Sequence, residues 1–123
     1  MKTIESKEDI IVLVDAFYEK VNMDELLSPI FNEIAKVHWE SHMPTMYAFW
    51  SSILLGKSGY SGRPFPKHLP LPIKQKHFTR WLELFYLTVD ENFEGKLAIE
   101  AKKRASNIAE IFSFKIKSIK GAL

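Results

Sequence analysis

The chain has 123 residues, which is enough for one domain and short for two. An apolar fraction of 46% and a charged fraction of 26% are typical of globular proteins and argue against disorder, while a net charge of +2 predicts no strong field for nucleic acid or an anionic membrane. The lack of cysteine excludes disulfides, thiolate metal sites and a cysteine nucleophile, and an aromatic content of 13% indicates either a very aromatic core or an enclosed flat ligand.

The N-terminal residues 1–6 lack the apolar run and the small-residue cleavage site of a signal peptide. No apolar stretch approaches the ~18 residues that a membrane-spanning helix needs. We therefore expect a cytoplasmic protein with a single domain over residues 1–123 and no membrane partner.

Apolar residues spaced by three and four predict an amphipathic helix that begins after Ser6, a suitable N-cap. The inner face of this helix ends in Phe17 and Tyr18. Proline is favoured at the first position of a helix, so Ser28 and Pro29 predict a short second helix that continues to about Lys36.

A third helical series carries His42 on its inward face. Pro44 is tolerated only near a helix start, so this helix is either irregular or begins around Ser41. Its apolar members are Trp39, Met43, Met46, Phe49, Trp50, Ile53 and Leu54.

A proline-rich connector surrounds His68, and glycines at 56, 59 and 62 are expected to end the preceding helix and open this connector. Proline lacks an amide donor and restricts the residue before it, so this segment cannot be a regular helix or a central strand. Its prolines are Pro64, Pro66, Pro70 and Pro72.

Two more helices are predicted after the connector. The first begins at His77 and contains Phe78, Trp81 and Phe85, and the second begins at about Asn92 and ends near Gly121. The expected buried stripe of the last helix consists of Ala101, Ala105, Ile108, Phe112, Ile116 and Ile119. No stretch alternates convincingly at period two, so the predicted class is all-α.

Four residues are candidates for chemistry, although each has an ordinary structural explanation. Tyr18 is by default a core tyrosine, His42 a satisfied core histidine and Trp81 a packing residue. His68 in a proline-rich loop is by default a solvated surface residue. None of the four would support a functional hypothesis alone.

Several segments occur together, in order, between about Ile11 and Phe85, and as a set they resemble the group III truncated haemoglobins, small bacterial globins with a shortened helical sandwich around haem. The lack of a Gly-Gly pair also favours this group, since the first two groups use such pairs to bend the chain. The segments are Phe17-Tyr18-Glu19-Lys20-Val21, Pro29-Ile30-Phe31-Asn32, Trp39-Glu40-Ser41-His42, Phe49-Trp50, Leu54-Leu55-Gly56, Tyr60-Ser61-Gly62-Arg63-Pro64, Lys67-His68-Leu69-Pro70-Leu71-Pro72 and Trp81-Leu82-Glu83-Leu84-Phe85.

The resemblance implies that His68 is the proximal ligand of a haem b iron, a role that a neutral imidazole performs well. It also implies that Tyr18, His42 and Trp81 lie on the distal side. Dioxygen held at the iron carries partial negative charge, so hydroxyl and indole donors can stabilise it in an apolar cavity. The side chains expected to line or support the porphyrin are Phe31, Trp39, Met43, Met46, Phe49, Trp50, Phe78 and Phe85.

The function implied is binding of dioxygen, nitric oxide and carbon monoxide by a monomer at a pentacoordinate iron, rather than a dedicated enzyme. Nitric oxide oxidation or peroxide turnover, with an unidentified reductase, is left open. The alternative from a different class is a haem-free helical interaction or sensor module. A DNA-binding domain is a weaker third reading, since the lysines of the last helix are typical of a solvated face.

Overall fold

The computed structural model describes residues 1–56 and 73–121, with side chains as far as residue 118. In these residues the chain forms four α-helices and one π-helical turn, and the only β contact described is an isolated bridge between Lys2 and Phe93. The elements are α1 (Lys7–Met23), the π-helical turn (Ile30–Ile34), α2 (Trp39–Leu55), α3 (Gln75–Asn92) and α4 (Lys96–Gly121). Helix α1 packs against α2 and α3, and α3 packs along α4. The predicted all-α class is confirmed.

Helix α1 begins where the sequence predicts, because the Asp9 side chain takes part in capping its N-terminus. The Asp9 carboxylate accepts hydrogen bonds from the amides of Glu5 and Ser6 at 2.9 and 3.2 Å, and Lys2 Nζ lies 3.2 Å from it. The bond from the Glu5 amide is the largest influence that holds the pKa of Asp9 below its usual value. The buried stripe that follows consists of Ile10, Leu13, Val14, Phe17, Tyr18 and Val21.

The short helix predicted from Pro29 to about Lys36 is instead a π-helical turn over Ile30–Ile34. The Ala35 amide donates to the Ile30 carbonyl at 2.9 Å, which is the wider π spacing. Lys36 then adopts the left-handed conformation, with φ of 51°, and ends the turn. Local sequence spacing does not distinguish this single wide turn from an α-helix.

Helix α2 begins at Trp39, two residues before Ser41, and continues through Pro44. Of the two predicted alternatives, the start around Ser41 is not the one observed, since the helix begins about half a turn earlier. The His38 carbonyl accepts from the amides of Ser41 and His42 at 3.1 and 2.9 Å, so the first turn is already formed before the proline. The missing amide of Pro44 costs one backbone bond near the N-terminus, which the helix tolerates.

Gly56 ends α2 as predicted, in the left-handed conformation with φ of 69°. The expectations for the glycines at 59 and 62 and for the proline connector lie outside the described residues. Helix α3 begins at Gln75, two residues before the predicted His77, because Lys74 is the N-cap and its amide donates to His77 Nδ1 at 2.9 Å.

The last helix begins at Lys96 and not at about Asn92, which is the final residue of α3. Phe93 is extended and Gly95 has φ of 94°, so two helices are separated by a short break. Of the predicted stripe, Ala101, Ala105 and Ile116 are buried, Ile108 and Phe112 are half-buried, and the side chain of Ile119 lies outside the described residues.

Three buried rings join the first three helices. Phe85 of α3 stacks on Trp50 of α2 at 4.8 Å and meets Phe17 of α1 edge-on at 5.2 Å. Helix α4 completes the core with small side chains, which allow close packing against α3: Ala98, Ala101, Ala105 and Ala109. None of the described helices is both long and apolar enough to cross a bilayer.

Candidate functional site

Two of the predicted distal residues, Tyr18 and His42, are in contact. Their rings lie 5.4 Å apart at 83°, where α1 meets α2. Trp39 lies 5.5 Å from both rings, and Phe31 stacks on Trp39 at 5.9 Å and meets Tyr18 at the same distance. We call Tyr18, Phe31, Trp39 and His42 the Tyr18 cluster.

Tyr18 is buried, with 6% of its surface exposed. This burial raises the pKa of Tyr18 above its ordinary value, because the phenolate would lose its hydration. The hydroxyl therefore stays protonated throughout the physiological pH range and is available as a hydrogen-bond donor.

Trp81, the third predicted distal residue, is linked to the Tyr18 cluster through Phe17. The Phe17 ring lies 5.0 Å from Tyr18 and 5.5 Å from Trp81, edge-on to both. Trp81 also stacks on Phe85 at 5.8 Å. Sequence reasoning placed Phe17 on the inner face of α1 but gave it no part in the site; its position directly before Tyr18 in the apolar stripe was the available signal.

The other predicted lining residues are distributed over two regions. Met43, Met46 and Phe49 are half-buried against the core on α2, whereas Trp50 and Phe85 are fully within it. Phe78 lies in a groove between α3 and α4, together with Tyr86 and Phe114. A porphyrin contact for each of these residues stays a prediction. His68, the predicted iron ligand, lies outside the described residues.

The described residues suit the distal side of a haem pocket in their donor chemistry. A buried tyrosine hydroxyl, an imidazole and an indole are grouped through ring contacts between α1, α2 and α3. The surrounding side chains are aromatic and apolar, and several on α2 remain half-buried, which leaves apolar surface for a flat hydrophobic group. If such a group binds here, Tyr18, His42 and Trp81 would supply donors to its gas ligand, and Trp39 and Met43 would line or support it.

Comparisons with known proteins point to the same family as the sequence motifs. A family model described as bacterial-like globin matches residues 2–115. The Group 3 truncated hemoglobin ctb of Campylobacter jejuni is 36% identical over 111 residues, which span 87% of each chain. The crystal structure of group III truncated hemoglobin from Campylobacter jejuni superposes with a TM-score of 0.85 and 35% identity, over 94% of this chain and 95% of that chain. The chain therefore belongs to the bacterial-like globins, within which it is a haem-binding group III truncated haemoglobin.

Proposed function

We propose that this protein binds dioxygen and other diatomic gases at a haem b whose iron is held by His68, with Tyr18, His42 and Trp81 as donors to the gas. The observation that carries the proposal is the buried Tyr18 hydroxyl beside the His42 ring. When bound, haem would supply the iron that binds the gas, and His68 would hold that iron. The family supports haem binding, and the geometry of the Tyr18 cluster supports the distal roles.

The three proposed donors differ in what they can do. Tyr18 donates from α1, and its hydrogen bond is strong because the surrounding rings exclude water. Trp81 has an indole N–H and can only donate. The His42 imidazole donates through whichever nitrogen carries the proton, so its contribution depends on the tautomer.

Several donors around one ligand slow its release, which suits retention better than delivery. We therefore extend the proposal to chemistry on the bound gas, either nitric oxide oxidation or peroxide turnover. A cycle that leaves the iron oxidised would need an electron-donating reductase. We further propose that the protein works as a cytoplasmic monomer, in which one chain supplies all the donors.

The proximal role of His68 rests on the family resemblance and on its proline-rich surroundings in the sequence. Pro66 and Pro70 restrict the backbone on both sides of the histidine, so less conformational freedom is lost when the imidazole binds iron. Its neutral form is a good iron ligand.

Absorption spectroscopy of the purified protein with added haemin tests the proposal. We expect a strong Soret band that His68→Ala loses, while Trp81→Phe keeps the band and releases dioxygen faster. His38→Ala is a matched control, because His38 is an exposed histidine at the start of α2. A Soret band of full intensity in His68→Ala would exclude His68 as the ligand. A protein that takes up no haemin would leave the haem-free interaction module as the better hypothesis.

A further inference from the structure

The side chain of Asn32 joins three parts of the chain. Its Nδ2 donates to Asn22 Oδ1 near the end of α1 at 2.8 Å, and to the carbonyl and hydroxyl oxygens of Ser28 at 3.1 and 3.2 Å. Its Oδ1 accepts from Trp39 Nε1 at 2.8 Å. One carboxamide in the π-helical turn therefore connects α1 to the first residue of α2.

The partners fix the orientation of this carboxamide. The Trp39 indole N–H can only donate, so the Asn32 atom that faces it must be the carbonyl oxygen. The Ser28 carbonyl can only accept, so the atom that faces it must be the amide nitrogen. Only in this orientation do the oxygen and the nitrogen of the Asn32 carboxamide both have hydrogen-bond partners. The indole of Trp39 therefore has one favoured position relative to α1.

Trp39 connects the hydrogen bonds of Asn32 to the Tyr18 cluster. Its ring lies 5.5 Å from both Tyr18 and His42 and stacks on Phe31. Trp39 is also one of the residues around a shallow surface hollow at the start of α2. Trp39 is therefore half-buried, in contact with both donor rings and next to the open surface. The other residues of the hollow are Val37, His38, Glu40 and Ser41.

We propose that Asn32 is a positioning residue, whose hydrogen bond to Trp39 holds the indole between the surface hollow and the donors Tyr18 and His42 and thereby limits the passage of gas ligands. This inference rests on the proposed gas-binding function. Since its N–H is engaged by Asn32, Trp39 acts through its position and not as a donor to the gas. When the bond is broken, the ring can rotate toward the hollow and the donors lose a fixed neighbour.

Two variants break the bond from opposite sides. Asn32→Leu removes both polar ends at similar volume, and Trp39→Phe removes the N–H but keeps an aromatic ring. After flash photolysis of the carbon monoxide complex, we expect each variant to rebind the gas roughly fivefold faster, the factor that one hydrogen bond of ordinary net strength supplies. The double variant should be no faster than the faster single variant, because the same bond is lost in all three.

Two further measurements report on position and not on rate. The infrared C–O stretching band of the carbon monoxide complex senses nearby donors, and it should broaden or split in Asn32→Leu. In ¹⁵N-labelled carbon monoxide complex, the Trp39 indole resonance, assigned by its loss in Trp39→Phe, should shift and exchange its proton faster. Asn32→Asp keeps an acceptor for Trp39 but loses the donor to Ser28 and Asn22, so its rebinding rate should fall between those of Asn32→Leu and the unaltered protein.

Asn92→Leu is the matched control, since Asn92 Nδ2 donates to the Thr88 carbonyl within α3, away from the hydrogen bonds of Asn32. It should rebind carbon monoxide like the unaltered protein. The positioning role is wrong if Asn32→Leu leaves both rebinding and the infrared band unchanged, or if its effect adds fully to that of Trp39→Phe. If Tyr18→Phe and Trp81→Phe also leave both readouts unchanged, the distal donors of the proposed function fail as well.

Discussion

Tyr18 has the two properties that a donor to a polar gas ligand needs. Burial keeps its hydroxyl protonated, and the rings around it exclude competing water. His42 and Trp39 touch its ring, so the position of the hydroxyl is set from α2 as well as from α1. Removal of this one oxygen should affect ligand release more than folding.

We therefore predict that Tyr18→Phe releases dioxygen faster by about tenfold or more, the range expected for a hydrogen bond to a partly charged partner. The rate should be measured by stopped-flow displacement with carbon monoxide. Tyr18 itself should add no pH dependence to this rate between about pH 6 and 9, because its pKa is raised.

Tyr86→Phe is the control for this substitution, because Tyr86 lies in the groove between α3 and α4 with Lys102 Nζ 5.7 Å from its ring. Dissociation from Tyr86→Phe should match that from the unaltered protein. Equal rates in Tyr18→Phe and Tyr86→Phe would contradict a donor role for Tyr18.

The sequence alone indicates some residues of the candidate site but not others. Tyr18 and His42 share inward helical faces, and the ordered resemblance singles them out. Asn32 lies within one of the quoted segments, but its role depends on the π-helical turn that brings it within 2.8 Å of Trp39 Nε1. Phe17 acquires its role from contact with Trp81, 64 positions later in the chain, and periodicity within one helix does not predict such a contact.

Apolar spacing in the sequence predicted that a helix is present more reliably than it predicted the residues at which the helix begins and ends. Spacing records which face is buried, and that face extends over several turns in α1 and α3. Ends depend on single local bonds and conformations: the Lys74 amide bonded to His77 starts α3, and the positive φ of Gly95 separates α3 from α4. A predicted helix boundary is therefore wrong by a few residues wherever the capping group has an unusual identity, as a histidine does here.

The cap of α3 is sensitive to pH, because His77 Nδ1 can accept the Lys74 amide only while it is unprotonated. Burial is the largest cause that lowers the pKa of His77, and the charge of Lys76 acts in the same direction. The folded protein thus holds a proton on His77 less readily than the unfolded chain does. Trp81 lies one turn farther along α3, so the cap supports the turn that precedes a proposed ligand donor.

Because the unfolded chain binds more protons, this contribution to the free energy of unfolding is present above about pH 6.5 and is lost as the pH falls toward the lowered pKa of the folded protein. We predict that His77→Gln, which retains an acceptor but does not titrate, shows a smaller fall in its urea midpoint between about pH 7.5 and about 5.5. His38→Gln replaces an exposed histidine and should keep the full pH dependence. If His77→Gln falls as steeply as the unaltered protein, the cap is not the titrating element.

For the whole molecule, the aromatic surplus forms a buried core and extends from it to the proposed ligand side. Phe17, Trp50 and Phe85 form the core that joins α1, α2 and α3. Trp39 and Tyr18 extend this network of rings to the proposed ligand side. Since the two groups share contacts, a change in the core should reach the ligand side, which the final prediction tests.

Phe85 is fully buried, stacks on Trp50 and Trp81, and meets Phe17 edge-on. Phe85→Ala should lower the free energy of unfolding by about 3–5 kcal/mol, because it removes apolar contact and leaves a cavity between three helices. Phe114→Ala should change it by less than about 0.5 kcal/mol, since Phe114 is 70% exposed. Both should be measured by urea unfolding at equal haem content, because bound haem adds stability of its own.

Phe85→Ala should also speed dioxygen release, because Trp81 loses its stacking partner. A loss of stability with unchanged release would show that the core and the ligand side are energetically separate.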